Sequence, residues 1–145
     1  MKREEEAFRE KAKKYVVCFN EHCTRHNQCL RYLVGQYADC RGVSIPSVNV
    51  RHPQVVAGDC PLYRQNIQVV HKVGLTQFYL DMPGRMERAI RHQLISLFTH
   101  RIYYLMRNGK RLITPAEQEQ IAVVCRQAGW NGELVYDGET TDWLW

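Results

Sequence analysis

The sequence predicts an α+β fold, predominantly helical. It reads as a single compact domain, residues 1–145, with a cysteine-rich, loop-rich N-terminal half and a helical C-terminal half. Three observations carry that expectation. Apolar residues recur at helical spacing after residue 83, as in Met86, Ile90, Leu94 and Leu97. Turn formers Gly42, Pro46, Pro53, Gly58 and Pro61 punctuate residues 41–62 among β-branched side chains. The stretch CFNEHCTRHNQC, residues 18–29, gathers Cys18, Cys23 and Cys29 with His22 and His26 in a loop. With 145 residues, 45% hydrophobic and 24% charged, the composition is that of a folded chain rather than a disordered one.

The elements follow in order. Residues 2–14 read as a peripheral exposed helix, rich in Glu and Lys, with Phe8 and Tyr15 as its main apolar surface. A second helix is expected from about Asn27 to Ala38, where Leu30, Leu33, Val34 and Tyr37 share a face. Short strands are expected at SVNV (47–50), Ile67–Val73 and Gln77–Leu80. A long helix begins at Pro83 and continues through HRIYYLM to a stop at Asn108-Gly109. The next helix has the strongest local signature: Thr114 to cap, Pro115 at the first position, Glu117 to complete a capping box and Gly129 to terminate. The GELV segment reads as a strand, followed by a turn at Asp137-Gly138 and an aromatic tail.

The cysteines carry the main functional signal. Cys18, Cys23, Cys29 and, 31 residues after Cys29, Cys60 in GDCP supply four soft donors on loops. Loops let such donors converge on one tetrahedral ion more readily than helix interiors do. Four thiolates suit zinc or an iron–sulfur cluster, and His22 or His26 in place of one cysteine favours zinc. Tetrahedral ligation predicts sulfurs within about 4 Å of one another. The competing reading is that these are buried free thiols, which behave as small apolar side chains. Cys125, beside Ile121, Val124 and Ala128, reads as core.

Charge offers a rival site. The chain is +5 overall, and residues 82–111 hold seven basic side chains against Glu87 alone. Arg85, Arg88, Arg91, Arg107, Lys110 and Arg111, with Tyr103 and Tyr104 between them, make nucleic-acid binding the alternative function. The acidic residues Glu133, Asp137, Glu139 and Asp142 are internal competitors for the same charges, so that binding is not the favoured expectation. No Gly-rich phosphate loop, no G-x-S-x-G and no H-E-x-x-H occurs, so no residue nominates itself for catalysis and an enzyme is not expected. The mixed-charge N-terminus and the absence of a long apolar run predict a cytoplasmic protein with no membrane partner.

Taken jointly, CFNEHC, GDCPLY, DMPGRM, YYLMRNGKRLITPAEQEQI and the YDG…W ending resemble an uncharacterised Bacteroides-type family of short proteins catalogued as a domain of unknown function. The resemblance implies one intact domain and singles out Cys18, Cys23, Cys29 and Cys60. It implies no activity, substrate or cofactor. The expected function is therefore a small cytoplasmic metal-binding or interaction module.

Overall fold

The computed structural model describes residues 1–145. Six α-helices run in chain order: α1 (Lys2–Ala12), α2 (Leu30–Gly35), α3 (Pro53–Val56), α4 (Gly84–Phe98), α5 (His100–Arg107) and α6 (Pro115–Gln127). Two strands, β1 (Gln68–Val73) and β2 (Gly138–Trp143), complete an α+β fold. The chain divides into two compact units, residues 1–67 with 144–145, and residues 68–143.

The first unit has little regular structure. Helix α1 is anchored by one residue, Phe8, buried against the edges of Tyr37 and Trp145 with ring centroids 6.1 and 5.9 Å away. The expected second helix is shorter than its periodicity suggested. A 3-10 turn at His26–Gln28 precedes α2, which ends at Gly35. The SVNV segment makes only one isolated bridge, Val17 with Ser47, in which the Val48 amide donates to Val17 O at 2.8 Å. Buried apolar residues number six here: Phe8, Val17, Cys29, Leu30, Val34 and Val48.

Arginine side chains supply cross-links where secondary structure does not. Arg31 donates from Nε to Leu62 O (2.7 Å) and from Nη1 to Val16 O (2.8 Å), and its guanidinium lies 4.5 Å from the Tyr15 ring centroid. Arg25 donates from Nη2 to Gly58 O (3.2 Å) and stacks 4.1 Å from the Tyr63 centroid. Each bond joins segments at least 15 residues apart, and a charged donor on a carbonyl outweighs a neutral pair.

The second unit is built on a conventional core. Leu75, Phe78, Tyr79, Met82, Ile90, Leu94, Tyr103, Met106, Ile113, Ile121 and Cys125 form one buried cluster. Helix α6 carries the expected capping box: the Thr114 amide donates to the Glu117 carboxylate at 2.9 Å, and the Glu117 amide to Thr114 Oγ1 at 3.3 Å. The expected long helix is broken at Thr99, whose φ of 74° lies where a β-branched residue is strained, so α4 and α5 are separate.

Two strand expectations are corrected. Gln77–Leu80 is a turn, and GELV is irregular; the strand lies after Asp137 instead of before it. β1 and β2 pair antiparallel, from Gln68 opposite Trp143 to Val73 opposite Gly138. Asp137 is the reason for the turn. Its carboxylate accepts from Thr76 N (3.1 Å), Thr76 Oγ1 (2.7 Å) and Gln77 N (2.8 Å), which curls residues 76–82 off the sheet.

Candidate metal centre

Cys18, Cys23, Cys29 and Cys60 line one small pocket in the first unit, together with His26. Its volume is about 20 Å³, and its remaining walls include Val48, Val55, Leu62 and Tyr63. Local backbone geometry explains how the four cysteines come to line one pocket. The Cys18 amide donates to Arg31 O at 2.9 Å, which sets Cys18 against α2. The chain then turns on Asn20: its carbonyl accepts from the Cys23 amide (3.3 Å), and its side-chain oxygen accepts from the His22 amide (3.2 Å). Cys29 ends the 3-10 turn and begins α2. Cys60 arrives after α3 and the left-handed Gly58 (φ 82°), on the segment held by Arg25 and Arg31.

Close packing fixes one side of the pocket. A Cβ on Gly35 would lie 2.6 Å from the Cys18 carbonyl oxygen, so only glycine lets α2 approach the Cys18 backbone. The Asn20 amide donates to Cys18 Sγ at 3.4 Å, a bond that strengthens if the sulfur becomes a thiolate. Burial pushes the Cys18 thiol up against that amide's pull, and the nearby Cys29, Cys60 and Cys23 add to the rise at Cys18.

The sulfurs share a pocket without being drawn into a ligand set. No three His, Cys, Asp or Glu side chains are arranged to hold a metal ion, so the ready-made tetrahedral cluster expected from the spacing is not formed. Neutral thiols have no mutual attraction to draw them together, since only thiolates are ligands. All six cysteines are free. His26 remains a candidate ligand: its Nδ1 lies 2.7 Å from Cys23 O, which can only accept, so Nδ1 carries the proton and Nε2 the lone pair. His22 is exposed and does not line the pocket.

The other cysteines lie outside this site. Cys125 is 1% exposed in the core of the second unit, and burial pushes its thiol up to about 11. Cys40 is exposed on a loop.

The basic residues named for the alternative nucleic-acid site differ in their engagement within the chain. Arg91 pairs with Glu87 on α4 (3.5 Å) and Arg111 with Glu117 (2.8 Å). Glu139 of the acidic tail pairs with Lys72 rather than with the arginines of α4. Tyr103 is fully buried with its hydroxyl 2.8 Å from that of Tyr79, so it offers no face for a base. Arg85, Arg88 and Lys110 are exposed and unpaired, and Arg107 is half-buried near Asp137.

Sequence reasoning did not find Asn20, Arg25, Arg31 or Gly35. Arg31 reaches partners 15 and 31 residues away, and no local pattern announces such a link.

Fold and site define a small α+β protein with a cysteine-lined pocket in its irregular N-terminal unit. The chain belongs to a family of unknown function (DUF6078), whose model matches residues 1–145. No curated protein and no solved structure matches it. No helix is long and apolar enough to cross a membrane.

Proposed function

We propose that this protein is a non-catalytic metal-binding module whose ligands come from Cys18, Cys23, Cys29 and Cys60, with His26 as the alternative to one of them. The observation that carries the reading is the meeting of all four cysteines around one cavity, three from a 12-residue loop and the fourth from a separate turn. Chance burial of thiols has no reason to bring that set to one place. A second consideration supports it. The first unit has few buried apolar residues for its length, and units of that size usually require a cross-link or a metal. Binding replaces each thiol proton by a metal–sulfur bond, so the energy of ligation adds to the stability of the unit.

Metal analysis and thiol counting on the same anaerobic preparation test the proposal. About one equivalent of zinc, or about four of iron with sulfide, is expected, with the four pocket cysteines protected from a thiol reagent until a chelator is added. Metal-free protein whose pocket thiols react equally with and without chelator, even after incubation with zinc or iron, would refute it.

A further inference from the structure

We propose that a second cleft in the first unit binds a small organic carboxylate with an apolar body. The cleft shares no lining residue with the cysteine pocket, and the proposal does not depend on the metal-binding reading.

One wall is the last turn of α1 with the residues that follow it, and the other is the loop of residues 37–46. The volume is about 730 Å³. Small-molecule sites usually measure roughly 300–1,000 Å³, so one drug-sized molecule fits.

Charge sets the sign of the ligand. Four cations, Arg9, Lys13, Lys14 and Arg41, line the cleft with two carboxylates, Glu10 and Asp39. Lys13 pairs with Glu10 and Arg41 with Asp39, so both carboxylates are already engaged. Arg9 and Lys14 are left with no carboxylate partner. An anion entering the cleft meets a net positive charge. Arg9 is also restrained in advance, because its guanidinium lies 5.5 Å from the Tyr37 ring centroid. A stacked guanidinium keeps its N–H edge for a planar carboxylate, which it grips with two parallel bonds.

Apolar side chains set the body of the ligand. Ala12, Val17, Ile45 and Pro46 line the same cleft, together with Tyr15 and Tyr37. Apolar walls beside uncompensated cations suit a molecule that has both parts. A compact, strongly hydrated anion such as phosphate has no apolar surface to place against these residues. A neutral apolar molecule leaves Arg9 and Lys14 unanswered.

The position of the cleft gives binding a consequence. Helix α1 buries only Phe8, so it is weakly held to its unit. A ligand that touches both walls ties α1 to the loop of residues 37–46 and stabilises the folded state by mass action.

Titration of the nitrogen-15-labelled full-length protein with 1-naphthoate, followed by two-dimensional NMR, tests this. We expect saturable shifts concentrated in residues 9–17 and 37–46, and a raised melting temperature at saturation. The uncharged 1-naphthamide and inorganic phosphate each carry one half of that chemistry and should bind at least about tenfold more weakly, the scale of one charge-assisted hydrogen bond. Arg9→Gln should weaken naphthoate binding by a similar factor and Lys14→Gln by less. Arg3→Gln, on α1 but outside the cleft, should change nothing measurable. Far-UV circular dichroism checks that each variant is folded; if Arg9→Gln loses helix, Lys14→Gln carries the test, since that side chain has no ion pair to lose. Shifts spread evenly over both units, no saturation at millimolar naphthoate, equal binding of naphthamide or phosphate, or folded Gln variants that bind as tightly as the parent would each overturn the proposal.

Discussion

The two units solve the problem of stability differently. The second unit, residues 68–143, buries eleven apolar side chains in one continuous cluster under well-formed helices. The first, of similar length, buries six, and its segments are tied by Arg25, Arg31 and isolated backbone bonds. Fully burying a Leu, Ile or Phe contributes roughly 1.5–3 kcal/mol, so the difference in core is large on the scale of a domain's net stability. A unit with that deficit is the one expected to depend on something added. The four cysteines lie there and nowhere else. On the metal-binding proposal, loop-rich structure and a ligand site go together, because the site would supply what the core lacks.

If the first unit binds metal as proposed, the strongest way to break this contrast is to remove that metal. Chelation of the holoprotein should abolish hydrogen-exchange protection through residues 17–66 while helices α4 and α6 keep theirs. Equal loss in both units, or loss in neither, would end the comparison. A large effect is expected because structural zinc contributes folding energy outright.

Gly35→Ala comes next. Its φ is ordinary for a helix, so the penalty is steric alone, from a methyl group 2.6 Å from Cys18 O. Two backbone segments must separate, and overpacking of this kind costs typically about 1–3 kcal/mol. Denaturant melts should show the loss in the first unit, accompanied by weaker metal uptake. A variant with unchanged stability would mean that α2 does not hold the Cys18 wall.

The second unit offers a smaller test of a conventional kind. Asp137→Ala strips three hydrogen bonds from Thr76 and Gln77 and leaves the donors at the surface, where water partly replaces them. A loss of about 1 kcal/mol is expected in thermal melts, with no change in metal content. The pH dependence follows from the same contacts. Slight burial works against ionisation of Asp137, but the Thr76 and Gln77 bonds outweigh it and hold the carboxyl below its ordinary value. A lowered folded-state pKa stabilises above the unfolded value and is lost as pH falls through the folded one. The parent should therefore lose stability more steeply than Asp137→Ala below about pH 4, where unfolded aspartates titrate. Parallel acid melts of the two proteins would contradict that role.

What was legible in the sequence depended on how far each signal reaches. The α6 boundary was readable because Thr114, Pro115 and Glu117 all act within one helical turn. The core role of Cys125 was readable from its place on the apolar stripe, and it is buried. The strand at 138–143 was not, because GETTDW is polar and mostly exposed, and its pairing with β1 spans some seventy residues. Gln77–Leu80 has strand-like residues, yet a carboxylate sixty positions away imposes a turn.

The cysteine site divides along the same line. By itself the sequence determined the thiol and imidazole residue types and their loop context, since thiol chemistry and turn residues are properties of the residues themselves. Only the tertiary structure decided that Cys60 joins the other three, that His26 and not His22 faces the pocket, and that Gly35, Arg25 and Arg31 bring the walls together. Local periodicity and capping act over a few residues of chain. Convergence of loops depends on side-chain bonds and close packing between segments that no local pattern couples, so it is settled only when the chain folds.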